Sequence, residues 1–169
     1  VHVEYASEFR YRNPIVDSKT VIIAISQSGE TVDTLAAIRK AKNYGALTVG
    51  ICNVVGSSIA RETDCGIYTH AGPEIGVAST KAFTTQLTAL MLLVIVLGKK
   101  FEITDDLESS LCAQLKSLPE KIKSTLALDD KIAKLAEIFS DKEHALFLGR
   151  GSHFPIAREG ALKLKEISY

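Results

Sequence analysis

Three hydroxyls and a glycine fall within Ser26-Gln27-Ser28-Gly29-Glu30-Thr31, a density of small donors suited to holding an anion. A phosphate monoester is the first ligand such a cluster suggests. A second group, Glu159, Lys163 and Glu166, is spaced four and three residues apart, so the three share one face of a helix. Carboxylates beside an ammonium can move protons at carbon when a base is held near substrate with its pKa tuned by burial and neighbours. Plainer readings stand beside both. A Ser or Thr ahead of a helix is commonly an N-cap, contributing about 1 kcal/mol. The Glu159, Lys163 and Glu166 face also reads as an exposed salt-bridge ladder, at about 0.2–0.5 kcal/mol per pair.

The flanking elements decide what the first cluster can do. Thr20-Val-Ile-Ile-Ala-Ile25 is short, β-branched and apolar, which predicts a strand covered on both faces. Val32, Leu35, Ala36 and Ile38 recur at roughly helical spacing, and Gly45 supplies a C-cap. The hydroxyls therefore open a helix, where unpaired amides and the positive end of the dipole attract anions. One cap requires one hydroxyl, and three exceed it. Two rival motifs fail: no G-x-x-x-x-G-K-[S/T] loop occurs, and the turn lacks the flanking glycines of G-x-S-x-G. No histidine lies near Ser26 or Ser28 in sequence, so these serines read as donors to a ligand and poor nucleophiles.

Strand and helix patterns alternate through the first hundred residues. Val1–Ala6 predicts a strand and Arg10, Arg12, Asn13 and Pro14 a polar connection. The Thr20–Ser26 strand and the Thr31–Tyr44 helix follow, then a Leu47–Cys52 strand, a short Ser57–Thr63 helix and a Cys65–Thr69 strand. The loop Ala71-Gly-Pro-Glu-Ile-Gly76 leads into a long helix over Ser79–Lys99. This order implies an α/β fold, a three-layer parallel sheet with helices on both faces. Ligands in such sheets sit beyond the carboxyl ends of the strands, where the serine turn falls. The apolar run from Ala89 to Leu97 is shorter than the roughly 20 residues of a membrane span and predicts a core helix instead.

After Gly98 the composition becomes more charged. Leu107, Leu111, Leu115 and Leu118 form a helical stripe, Pro119 follows, and a second helix runs from about Asp129 to Phe139. Ala145–Leu148 then predicts a fresh strand, with the turn Gly149-Arg-Gly-Ser-His-Phe154 and a helix from about Pro155. Phe154 stands where a dinucleotide fingerprint needs its third glycine, which argues against a nicotinamide or flavin. In the closing helix Gly160, Ala161, Leu164 and Ile167 predict a buried face. The pattern divides the chain into 1–100, a helical connector over 101–142, and the opening of a second similar domain over 143–169.

With 169 residues, 46% of them apolar and 24% charged, the chain has a soluble globular profile. Twenty acidic and twenty basic side chains balance, leaving no global field to favour nucleic acid or an anionic membrane. Cys52, Cys65 and Cys112 are odd in number and make no C-x-x-C pair, which suits a reducing cytosol. No secretory signal is visible. Val1 at the start and a helix still running at Ser168-Tyr169 suggest an excised piece.

Several stretches resemble the sugar isomerase (SIS) portion of the glucosamine-6-phosphate synthase, or glutamine:fructose-6-phosphate amidotransferase, family. They are Ala6-Ser-Glu-Phe-Arg-Tyr11, Ser26-Gln-Ser-Gly-Glu-Thr31, Ile51-Cys-Asn53, Glu74-Ile-Gly-Val-Ala-Ser-Thr-Lys-Ala-Phe-Thr-Thr-Gln86, Leu148-Gly-Arg-Gly151 and Glu159-Gly-Ala-Leu-Lys-Leu-Lys-Glu-Ile-Ser-Tyr169. The serine stretch marks many SIS domains, whereas the last is more particular to the synthase. The resemblance implies a flavodoxin-like SIS fold and, as ligand, fructose 6-phosphate or glucosamine 6-phosphate. It implies phosphate binding by Ser26, Gln27, Ser28 and Thr31, and sugar contacts from Val77 and Ser79. Glu166 would move the proton between C1 and C2, assisted by Lys163, with Glu159 in support. No metal or organic cofactor is implied. Partners would be a glutaminase domain in the parent chain and a second copy in a homodimer, in the cytoplasm, with no nucleic acid and no membrane. The family's first SIS strand with its Cys-Gly-Thr-Ser turn, its ring-opening histidine and its Schiff-base lysine find no match here, so the resemblance implies a catalytically incomplete piece. Ala145–Leu148 and its helix are expected to fill the place of that first strand, in this chain or by a swap with a neighbour. A different class of function also fits the serine turn: an SIS-type sugar-phosphate sensor, which would not need the Glu159, Lys163 and Glu166 face.

Overall fold

Residues 1–5 take no regular structure in the computed structural model, which describes residues 1–168; Tyr169, the last residue of the closing motif, lies outside the described residues. The strand expected over Val1–Ala6 is instead an extended lead into helix α1 (Ala6–Tyr11). Val1 and Val3 stay exposed, so the alternation that suggested a strand has no sheet to pay for its ordering. Arg10, expected in a loop, belongs to α1, and its Nη1 pairs with Asp33 Oδ1 at 2.6 Å.

Strand β1 (Val21–Ser26) leads into α2 (Val32–Asn43), β2 (Leu47–Cys52), α3 (Ser58–Glu62) and β3 (Cys65–Tyr68). The three strands form a parallel sheet in the order β1-β2-β3, with Val21 opposite Leu47 and Val49 opposite Cys65. Parallel neighbours cannot be joined by tight hairpins, and α2 and α3 are the crossovers. One sheet face carries Ala24 and Cys52, which close with Ile38 of α2 and Ile59 of α3 into the core, flanked by Leu35, Ala60 and Tyr68. Ile38, Ile51 and Ile59 are fully buried, each contributing about 1.5–3 kcal/mol. The other face of β1 departs from expectation. Val21, Ile23 and Ile25 are 54%, 40% and 42% exposed, so this strand is covered on one face only. It is also the sheet edge, with no neighbour beyond it among the described residues.

A polar knot fixes the opposite end of the sheet. Thr48, fully buried, donates its amide and hydroxyl to Asp64 Oδ2 at 2.8 and 2.7 Å, and Lys42 Nζ lies 2.9 Å from Asp64 Oδ1. Lys42 and Thr48 together hold the Asp64 carboxyl down at about 2.

Helix α4 (Lys81–Gly98) follows, then α5 (Asp105–Leu126), α6 (Asp129–Phe139) and α7 (His153–Ser168). The chain forms two compact units, one over Val1–Leu93 and a second from Val94 on. With 18 residues and a mean hydropathy of 1.7, α4 is long and apolar enough to cross a membrane by length and composition. It is not the buried central helix expected: Ala82, Ala89 and Ile95 are buried, while Leu87, Leu92, Val94 and Val96 are exposed. Thr104 caps α5, accepting from the Leu107 amide at 3.3 Å. Pro119 does not end that helix; it sits inside α5, where its ring removes one backbone donor. Residues 145–148 form no strand and do not join the sheet. An isolated apolar tetrapeptide has no ladder to satisfy its backbone, and strand geometry needs a partner.

Candidate functional site

Ser26 is the last residue of β1 and is buried, its Oγ accepting the Gly29 amide at 3.0 Å and lying 3.4 Å from Thr31 Oγ1. Ser28 Oγ accepts the Glu30 amide at 3.2 Å. Two amides of the turn are thus spent on serine oxygens. A hydroxyl that accepts still has its own proton to give, so both serines keep a donor. Thr31 is the N-cap residue of α2, yet its side chain makes no capping bond. The plain cap reading therefore does not describe Thr31. The amides of Val32, Asp33 and Thr34 come before any carbonyl one turn back within α2, and the dipole of this 12-residue helix points its positive end at them. Asp33 would oppose an anion there, but Arg10 engages its carboxylate.

Three contacts hold the turn in shape. The Gly29 carbonyl accepts from Ile59 N at 2.9 Å, the Gln27 carbonyl from Asn53 N at 3.3 Å, and Glu30 Oε1 from Ser58 N at 2.8 Å. The Ser58 hydroxyl and amide keep the Glu30 carboxyl below its usual range. Glu30 thereby fills the N-terminus of α3 with a carboxylate of the protein's own. Gly29 is buried with φ +69°, and a Cβ there would fall on the Ser57 hydroxymethyl group. Only glycine fits both the backbone and the space. Ser57 Oγ is buried without a partner of hydrogen-bond geometry among the described residues. It does sit against the Cys52 thiol, whose pKa burial pushes up while the Ser57 hydroxyl pulls the other way.

The loop between β3 and α4 carries Val77 and Ser79. Asn53, at the end of β2, anchors its start: Nδ2 donates to the Gly72 carbonyl at 2.8 Å, and Oδ1 accepts Thr69 Oγ1 at 3.0 Å and the Ala71 amide at 2.8 Å. Glu74 anchors its end. Its Oε2 accepts the amides of Thr80 and Ala82, each at 3.0 Å, and its Oε1 accepts that of Gly76 at 3.3 Å. Val77 is exposed; Ser79 is half-buried with φ +53°, its amide donating to the Gly76 carbonyl at 2.9 Å. The serine turn and the head of this loop meet through Asn53, at the carboxyl ends of the strands.

In the second unit, α7 carries Glu159, Lys163 and Glu166 as the spacing predicts. Lys163 Nζ pairs with Glu159 Oε1 at 2.7 Å, both partly exposed, and Glu166 is exposed. The expected buried face of Gly160, Ala161, Leu164 and Ile167 is absent: no residue of α7 is buried, and Ile167 is 71% exposed. The pair in this chain is a helical ion pair of the ladder kind. Neither the hollow of about 140 Å³ beside Cys52, Thr63 and Tyr68 nor the one of about 550 Å³ along α5 is lined by a residue of the serine turn.

Glu30, Asn53 and Glu74 were not singled out by residue type, although each lies in a stretch that resembles the family. Their roles depend on contacts across 28, 16 to 19, and 2 to 8 residues respectively. Only the shortest of these leaves a local trace, an acid six residues or so ahead of a helix, and that is not a capping-box spacing.

Comparison with known proteins places these features. Residues 1–96 match the SIS domain. The glutamine–fructose-6-phosphate aminotransferase (isomerizing) of Chlorobaculum tepidum is 58% identical over 169 residues, covering 100% of this chain and 28% of the relative. That of Bacteroides thetaiotaomicron is 55% identical, again over 100% of this chain and 28% of the relative. A solved structure of the C-terminal domain of glucosamine-fructose-6-phosphate aminotransferase from Francisella tularensis superposes with a TM-score of 0.95 at 51% identity, covering 99% of this chain and 48% of that one. The chain thus spans little more than a quarter of the curated relatives it matches.

Proposed function

The chain belongs to the SIS domain family, and from that premise we propose that it is the sugar-phosphate isomerase portion of an enzyme making glucosamine 6-phosphate. The substrates of that enzyme would be fructose 6-phosphate and ammonia derived from glutamine. The hydroxyls of Ser26, Ser28 and Thr31, with the Gln27 side chain and the first amides of α2, bind the phosphate. Val77 and Ser79 contact the sugar. Once ammonia has converted the ketone to an imine at C2 with loss of water, Glu166 takes a proton from C1 and returns it to C2 while the C1 hydroxyl proton passes to the nitrogen, giving the 2-amino aldose. Lys163 stabilises negative charge developing along that path, and Glu159 orients Lys163. No metal or organic cofactor takes part. A glutaminase domain supplies ammonia in the parent chain, which works as a homodimer in the cytoplasm. The domain division follows the same logic, with a first SIS domain over 1–100, a connector over 101–142 and the start of a second over 143–169.

One observation carries the phosphate assignment. The N-termini of α3 and α4 are filled by Glu30 and Glu74, whereas α2 starts behind three hydroxyls with no side-chain capping bond from Thr31 and no carboxylate on its first amides among the described residues. An anion is attracted where a helix start has no acceptor of its own. Calorimetry with fructose 6-phosphate and glucosamine 6-phosphate tests the reading on this chain and on one extended to the length of its relatives. Ser28→Ala is expected to weaken binding about tenfold, as loss of one charge-assisted hydrogen bond would. Unchanged affinity would remove the serine turn from the site. In the extended chain, Glu166→Gln should abolish isomerisation; a retained rate would remove Glu166 from proton transfer.

A further inference from the structure

The loop that carries Val77 and Ser79 is folded around a single carboxylate. Glu74 gathers three amides, those of Gly76, Thr80 and Ala82, at 3.3, 3.0 and 3.0 Å, within a span of nine residues. Two of those donors flank Ser79, whose φ of +53° is a conformation that residues other than glycine seldom adopt and that persists only where its surroundings enforce it. The bond from Ser79 N to the Gly76 carbonyl closes the same turn. All of these residues lie in the first unit.

We infer that Glu74 is the positioning residue of the hexose side of the site: its carboxylate holds Ser79 in the left-handed conformation and thereby sets the loop against the sugar, without touching the phosphate cradle. The inference rests on the proposed reading of the serine turn and the Val77 and Ser79 loop as one hexose-phosphate site. A carboxylate is required because both oxygens accept. A glutamine keeps the length but offers one acceptor, and its amide nitrogen would confront a backbone N–H. The charge also serves α4, since a carboxylate at the start of an 18-residue helix meets the positive end of its dipole. The same occupancy removes the start of α4 as a phosphate site and leaves that role to α2.

The test compares two ligands on wild type and Glu74→Gln of the full chain: glucosamine 6-phosphate and inorganic phosphate, by calorimetry, with amide hydrogen exchange alongside. Glu74→Gln should weaken glucosamine 6-phosphate about tenfold or more and leave inorganic phosphate unchanged, so the ratio of the two affinities falls. Exchange should quicken at Gly76, Thr80 and Ala82, while the β1, β2 and β3 amides keep their protection. An unchanged ratio overturns the inference. So does an equal loss of both ligands, or lost protection through the sheet, since either would make Glu74 a general support of the fold. Wild type binding neither ligand would overturn the site reading itself and the inference with it, an outcome distinct from a variant that alone loses the hexose.

Discussion

Gly29 shows how one missing methyl group fixes the geometry of the serine turn. Its φ of +69° lies in the left-handed region, and the space a Cβ would take is held by Ser57. Gly29→Ala carries two costs: about 1–2 kcal/mol for the backbone and about 1–3 kcal/mol for overpacking against Ser57. A loss of about 2–5 kcal/mol in urea unfolding is expected, with weakened phosphate binding. Adding Ser57→Gly should recover the packing part and leave the backbone part. Ser57→Ala alone should be close to neutral, because among the described residues the buried hydroxyl it removes meets only the Cys52 thiol and no partner of hydrogen-bond geometry. The serine cluster was legible because donor density at a strand-to-helix junction is a local signal. Glu30, Asn53 and Glu74 were not, because each acts through a contact that chain order alone does not reveal.

Among elements, β1, α2, β2 and α3 follow the apolar periodicity closely, since each buries residues against its neighbour, and β3 adds the half-buried Ile67 and Tyr68. The readings that failed share a cause: Val1–Ala6 and Ala145–Leu148 have strand-like residues but no partner strand among the described residues, and α4 and α7 have apolar residues that stay exposed. Periodicity reports what a segment could bury, and a partner decides whether it does. Asp64 shows an element held by charge. It ties the end of α2, through Lys42, to the start of β2, through Thr48. Its folded pKa of about 2 lies below the ordinary 3.8, so the unfolded chain takes up the proton first as pH falls. The stability from this knot is complete above pH 3.8 and drains away as pH approaches about 2. Asp64→Asn should lower the melting temperature at neutral pH and flatten its pH dependence across that window, measured by circular dichroism. A pH profile unchanged by the substitution would assign the acid sensitivity to other carboxylates.

At the scale of the whole molecule, charge and exposed apolar area act together on association. Twenty acids offset twenty bases and the isoelectric point is near 7.1, so little net repulsion separates copies at neutral pH. Against that background β1 offers both a backbone edge with no neighbour among the described residues and the exposed row Val21, Ile23 and Ile25. An edge of this kind is a template for pairing, and natural sheets protect theirs with charge, most often lysine. Ile23→Lys places such a charge in the middle of the row, on the face away from Ala24 and the core. The substitution should therefore leave the unfolding midpoint nearly unchanged while lowering self-association, read by sedimentation velocity over a concentration series at pH 7. Adding salt to the wild type should change its association little, because the driving force is apolar area and backbone pairing and there is little net charge to screen. If Ile23→Lys sediments as the wild type does at every concentration, the β1 edge is not where copies meet, and the exposed residues of α4, Leu87, Leu92 and Val96, become the next to carry a charge.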